Sequence, residues 1–228
     1  MPRSEDRPAR IAWATDLHLP HARGQDEERL LEEVTRRCSE PVDALVLTGD
    51  VSVAETLAAD LRRLANAARG VPVHFVLGNH DFYGGSISRV RRRATEIAEE
   101  EPRLCYLGAR GPVTLTGRVA LVGHDGWGDA RLGDCEGTRV QLNDFRLIEE
   151  LAFLSKEERI RRLRSLGDEA ARHLEGGLRA ALPAHERVVV ATHVPPFADA
   201  AWHEGGRSDP DWLPYFACRA AGEAILRV

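Results

Sequence analysis

The chain has 228 residues, 43% of them hydrophobic and 29% charged, with a net charge of −5. That length can bury one full core, and the composition excludes a disordered or fibrous chain. The acidic balance argues against a nucleic-acid groove or an anionic membrane surface, and no run reaches the roughly 18 apolar residues of a membrane span.

The first ten residues, MPRSEDRPAR, are charged and lack the apolar stretch of a secretory leader. The first apolar run, RIAWAT (10–15), reads as a buried strand. A helical pattern follows over 26–40, with Leu30, Leu31 and Val34 on one face. DALVLT (43–48) is the second strand, and 54–70 the second helix, with Leu57, Leu61 and Leu64 in register and Gly70 as a stop. PVHFVL (72–77) is the third strand, followed by a helix over 88–100. Its RVRRR run (89–93) reads as a solvated face.

The middle of the chain changes character. Residues 104–123 alternate short β-prone runs with Gly-Pro and Thr-Gly turns, which predicts antiparallel strands. RVALVG (118–123) is the fourth buried strand. Residues 154–182 read as a helix weakened near Gly167 and at Gly176-Gly177. RVVVAT (187–192) is the fifth buried strand, and YFACRAAGEAILRV (215–228) a last helix. Alternating strands and helices predict a layered α/β sheet fold. Cys38, Cys105, Cys135 and Cys218 are widely spaced with no C-x-x-C pair, so they read as free thiols of a reducing compartment, and the cytoplasm is the expected location.

Ligands of α/β sheets bind beyond the carboxyl ends of the strands. Each apolar run ends there on a metal-ligand residue type. Asp16-Leu17-His18 follows the first strand, Gly49-Asp50 the second, Gly78-Asn79-His80-Asp81 the third, Gly123-His124-Asp125 the fourth and His193 the fifth. One such residue is ordinarily a turn or helix cap; five at one edge point to a metal site. Asp16 and His18, two apart, would point the same way from an extended segment. Asp50 has two oxygens and could bridge two ions, and the glycines before Asp50 and Asn79 allow close backbone approach. Oxygen and imidazole donors suit Mn²⁺, Fe, Zn²⁺ or Ni²⁺.

The series Asp16-x-His18, Gly49-Asp50, Gly78-Asn79-His80-Asp81 and a later His193, its first motifs 34 and 29 residues apart, resembles the calcineurin-like metallophosphoesterases. The resemblance covers about residues 10–195. It implies an α-β-β-α sandwich and hydrolysis of a phosphomonoester or phosphodiester, on a phosphorylated small molecule or protein, by water activated between two divalent metals. Asp16 and His18 would bind the first ion, Asp50 would bridge, and Asn79 and His193 would bind the second. His80 would face the phosphate, and Asp81 would orient His80. In the loop after the fourth strand, His124 and Arg131 are candidate substrate contacts, with Asp125, Trp127 and Asp129 beside them; Trp202, His203 and Arg207 are candidates for a lid.

One departure stands out. The Gly-His-x-His motif that closes such sites is absent, and the chain ends at Val228 inside its last helix. The expectation is therefore one domain over 1–228 whose final strands are missing, with each ion short of one histidine. A truncated enzyme, a catalytically inactive binding or scaffold module on the same fold, and completion by another chain are the three explanations. The uncovered sheet edge would favour self-association.

Overall fold

The expected order of elements is realised in a computed structural model that describes residues 8–22, 24–203 and 205–228. The charged stretch 1–7, on which the reading of no secretory leader mainly rests, lies outside the described residues. Strands β1 (Ile11–Ala14), β2 (Ala44–Thr48), β3 (Val73–Val76) and β4 (Leu104–Tyr106) form one sheet in that order, all parallel. Strands β5 (Val113–Thr116), β6 (Val119–His124) and β7 (Arg187–Thr192) form a second sheet, with β5 antiparallel and β7 parallel to β6.

Helices α1 (Gln25–Cys38), α2 (Leu57–Ala67) and α3 (Ile87–Glu100) cover the outer face of the first sheet through Val34, Leu57, Leu61, Leu64, Ile87 and Ile97. Val46, Val76, Leu107, Leu121 and Ala191 pack between the sheets. After the short α4 (Asp144–Leu147), the long α5 (Lys156–Ala181) covers the second sheet. It is joined there, beyond the short α6 (Leu213–Phe216), by α7 (Arg219–Leu226), through Ala120, Val122, Leu174 and Ala221. The layers are thus α-β-β-α. A two-residue hairpin, β8 (Trp202–His203) with β9 (Gly206–Arg207), precedes α6. Among the described residues, no helix is long and apolar enough to cross a membrane.

Four readings change. The 104–123 segment is antiparallel only at β5–β6; β4 joins the first sheet as a parallel strand, because Leu104–Tyr106 extends the β3 edge. β1 and β7 are not buried on both faces: they are sheet edges, and Trp13 and Val189 are exposed there. α5 is not interrupted. Its Gly167 lies against the Asp129 side chain and Gly177 against Val122, where a Cβ would collide, so these glycines serve close packing. A capping box of Ser155 and Glu158 starts the helix. The last predicted helix is two, α6 and α7, separated at Ala217-Cys218. All four cysteines are free and buried.

Candidate metal centre

The carboxyl ends of β1 and β2 are zipped together. The Asp16 N–H donates to the Gly49 carbonyl at 3.1 Å, His18 to Asp50 at 2.9 Å and Leu19 to Val51 at 3.0 Å. Asp16, His18 and Asp50 have φ of 55°, 44° and 52°. A left-handed backbone is disfavoured for residues with a Cβ and persists where surrounding structure enforces it, often at functional sites. This corrects the reason for the Asp16/His18 pairing. The segment is not extended; left-handed turns and bonds to the neighbouring loop aim the two side chains.

The loop after β3 closes from the other side. A Cβ on Gly78 would collide with the Asp50 carboxylate, and one on Gly49 would lie 2.6 Å from the Gly78 nitrogen and 2.8 Å from the His193 ring. Only glycine permits that approach. The His80 N–H donates to Asp50 Oδ1 at 2.9 Å. Asp81 is fully buried and accepts from the N–H groups of Ser52 at 2.6 Å and Gly78 at 2.8 Å. It therefore pins the second loop to the third and does not orient His80, as the resemblance implied. Burial pushes its carboxyl up to about 7, against the two N–H donors.

Five side chains expected to hold metal meet at the floor of one cavity of about 590 Å³. His18 Nε2 lies 4.0 Å from Asp16 Oδ1 and 3.7 Å from Asp50 Oδ2; His193 Nε2 lies 3.5 Å from Asp50 Oδ1. Two groups converge closely enough to share an ion each: Asp16, Asp50 and His193, and His18, Asp50 and His80. Asp50 belongs to both, as a bridging ligand would. The grouping differs from expectation in two places: Asp16 reaches the His193 side, and the His80 ring enters the cluster, its Nε2 3.9 Å from Asp50 Oδ2. The His80 ring sits between His18 and Tyr83, with centroids at 4.5 and 4.3 Å, and its Nδ1 is buried without a partner.

The hydrogen bonds decide whether these residues fit a cation. His193 Nδ1 donates to the Thr48 carbonyl at 2.9 Å, which leaves Nε2 a lone pair in the neutral ring. Nε2 faces Asn79 Oδ1 at 3.2 Å. The Asn79 amide cannot turn its nitrogen there, because Nδ2 already donates to Asp144 Oδ1 at 2.9 Å and to the Tyr83 hydroxyl at 3.2 Å. Two acceptors and a buried carboxylate thus face one point, and only a cation, proton or metal, reconciles them. Burial alone would lower the His193 pKa; Asp50 and Asp16 outweigh it and hold it above the ordinary value. The donor set fits first-row divalent ions.

Asp144 and Tyr83 were not singled out in the sequence. Asp144 is 65 residues from Asn79, at the start of a four-residue helix, with no local signal of its role. Burial raises its carboxyl, while bonds from Tyr83 and Asn79 act the other way.

The two candidate substrate contacts do not reach the cavity. His124 is buried, its Nδ1 accepts the Gly126 N–H at 3.1 Å, and its ring packs on His173. Arg131 pairs with Asp129 at 3.0 Å and Asp168 at 2.8 Å, on the α5 side. Asp125 is consumed inside the fold: it accepts from Leu77 N–H, Tyr106 hydroxyl and Arg91 Nε at 2.8–2.9 Å. Asp129 is buried with Arg131 and the Ala220 N–H. Trp127, Trp202 and His203 do line the cavity, whereas Arg207 pairs with Asp199. In the RVRRR run, Arg89, Arg91, Arg92 and Arg93 all pair with carboxylates.

Two sheets thus deliver Asp, Asn and His to one edge, in two ligand groups that share Asp50, a candidate divalent-metal site. The sequence profile of the calcineurin-like phosphoesterases matches residues 9–221, and the chain belongs to that family of metal-dependent phosphoester hydrolases. Its fold is similar to that of TT1561 of Thermus thermophilus, at 16% identity, TM-score 0.53, over 87% of this chain and 74% of that one. It is also similar to a dimetal phosphatase from Danio rerio, at 17% identity, TM-score 0.54, over 96% of this chain and 76% of that one. No curated protein sequence matches the chain.

Proposed function

We propose that this chain hydrolyses a phosphomonoester or phosphodiester at the cavity floor. The observation that carries the reading is the convergence of Asp50, Asn79 Oδ1 and His193 Nε2 on one point that no hydrogen satisfies in the neutral ring. Asp16, His18, Asn79 and His193 would hold two ions around the shared Asp50, with Asp16 on the His193 side as the ligand atoms converge; manganese is the first metal to test. When bound, two divalent ions supply Lewis acidity to the phosphoryl oxygens and acidify the attacking water. Water oxygen bonds to phosphorus, the bond to the ester oxygen breaks, and the alcohol leaves with a proton. His80, whose ring borders the cavity beside Asp50, contacts the phosphoryl oxygens and hands that proton to the leaving oxygen. The substrate is a phosphorylated small molecule or protein, the setting the cytoplasm, and residues 1–228 act as one domain.

The test is metal content after Mn²⁺ loading and desalting, beside hydrolysis of p-nitrophenyl phosphate and its bis ester. Two ions per chain with metal-dependent turnover is the expected result. Metal uptake with no turnover of either ester would instead mark a binding module on the same fold.

A further inference from the structure

Among the described residues, no hydrogen bond sets the His80 ring. Asp81, which the family resemblance makes its partner, is turned to the N–H groups of Ser52 and Gly78. His80 Nδ1 is buried with no partner among the described residues, and Nε2 lies 3.9 Å from Asp50 Oδ2, beyond hydrogen-bond range. A carboxylate on one ring nitrogen would fix the orientation of an imidazole. Here packing must do so.

That packing is specific. Residues 80–82 form one 3-10 turn, and the Tyr83 N–H donates to the His80 carbonyl at 2.9 Å. Side chains three positions apart eclipse in that geometry. The Tyr83 ring accordingly lies on the His80 ring, with centroids 4.3 Å and planes 29° apart, while His18 meets it edge-on at 4.5 Å and 67°. Tyr83 is itself fixed at both ends. Its hydroxyl donates to Asp144 Oδ1 at 2.7 Å and accepts from Asn79 Nδ2 at 3.2 Å, and its carbonyl accepts from the Ala54 N–H at 3.2 Å. His80, Asn79 and Asp144 line the cavity and Tyr83 does not. The phenol ring stands behind the imidazole, pinned through its hydroxyl.

We propose that Tyr83 is the positioning residue of the proton donor: its ring holds the His80 imidazole in the orientation from which it reaches the leaving oxygen. This rests on the phosphoesterase reading and deepens it. The step served is the transfer of the His80 proton to the ester oxygen as the bond from that oxygen to phosphorus breaks, a transfer that requires the donor within hydrogen-bond reach. The test compares p-nitrophenyl phosphate, whose leaving group departs readily as the anion, with phenyl phosphate, whose leaving group needs the proton more. The corresponding diesters replace them if only diesters are hydrolysed. With the Mn²⁺-loaded protein, Tyr83→Leu should lower kcat for the phenyl ester by about ten- to a hundredfold, the cost of a misplaced reacting group. The loss should be smaller for the p-nitrophenyl ester, with KM and metal stoichiometry unchanged. Tyr83→Phe, which keeps the ring, should recover most of kcat. In a His80→Ala background, Tyr83→Leu should cost nothing further, because groups that act as a unit are not additive. The ratio of the two esters within one sample does not depend on the fraction folded, and Tyr83→Met replaces the leucine variant if that one does not fold. A readout without metal or turnover is the NMR shift of the His80 ring protons, which should move in Tyr83→Leu and stay in Tyr83→Phe. An equal loss for both esters, a penalty that persists without His80, a fall in metal uptake or unmoved His80 signals in Tyr83→Leu would overturn the proposal. Absence of turnover in the unsubstituted protein would sink the phosphoesterase reading instead, and the ring-proton shifts would still decide whether Tyr83 holds His80.

Discussion

Asp50 and Asp125 stand just beyond the carboxyl ends of buried strands, one in each sheet, and the fold uses them in opposite ways. Asp125 is surrounded by donors, an arginine among them, and burial that would raise its carboxyl is overcome first by Arg91, so it stays below the usual carboxylate range. Asp50 is as thoroughly buried, but the side chains around it are His18, His80, His193 and Asp16, with no arginine or lysine among the described residues. A buried carboxylate with its cation supplied by the chain is structural; one that shares its surroundings with imidazoles and another carboxylate awaits a cation from outside. Residue type and position after a strand do not separate the two. Partners do.

The most severe way to test that contrast is the same substitution at both positions. Asp50→Asn keeps an oxygen for the His80 N–H and loses the charge shared by the two ligand groups. It should abolish paired metal uptake and lower kcat by at least ~10²–10³, with little change in the urea midpoint of the metal-free protein. Asp125→Asn should leave metal stoichiometry intact in the folded protein and cost about 3–5 kcal/mol of stability, because the part-buried Arg91 loses its fully buried partner and keeps only the half-exposed Glu169. If Asp125→Asn lost metal and Asp50→Asn lost stability, the assignment of the two regions would be reversed.

A second test sharpens the structural side. Burial holds His124 down at about 4, Asp125 opposing and Arg91 adding to the effect. Its stability contribution is fully present above the unfolded value near 6.5 and is lost as pH falls toward 4, because the unfolded chain takes up the proton first. The full shift corresponds to about 3 kcal/mol. His124→Asn, whose Oδ1 can replace Nδ1 as acceptor for the Gly126 N–H, should flatten that acid limb in denaturation curves at pH 7, 6 and 5. An unchanged slope would show that His124 is not the titrating group.

Much of this was legible from the sequence because strand ends carry local signals. An apolar run, a glycine and a carboxylate or imidazole fall within a few residues, so Asp16, His18, Asp50, Asn79, His80 and His193 could be picked out without knowing what they touch. Contacts across the chain left no such trace. The family resemblance made Asp81 the partner of His80, yet a short 3-10 turn directs it to Ser52 and Gly78. Asp144 gave no signal, since its importance arises only when its helix meets Asn79 and Tyr83. Asp144→Leu would free the Asn79 amide to rotate. Partners that orient metal ligands typically contribute 10–100-fold in affinity, and a loss of that size in titrated Mn²⁺ affinity is expected, with recovery in Asp144→Asn, which keeps the accepting oxygen. Equal affinities in both variants would leave Asn79 oriented by Tyr83 alone.

Arg131 gives the smallest effect and the cleanest separation. In the sequence it follows the fourth strand by eight residues and looks like a phosphate contact. In the fold its guanidinium is committed to Asp129 and Asp168, tying the loop after β6 to α5 on the far side from the ligand cluster. A phosphate could recruit it only by breaking both pairs and leaving the fully buried Asp129 with backbone donors alone. Arg131→Ala should therefore leave KM for the phosphoester unchanged while lowering the thermal midpoint. A rise in KM with the midpoint unchanged would mean that the loop rearranges to deliver Arg131 to the substrate, and that the boundary drawn between Asp50 and Asp125 shifts when substrate binds.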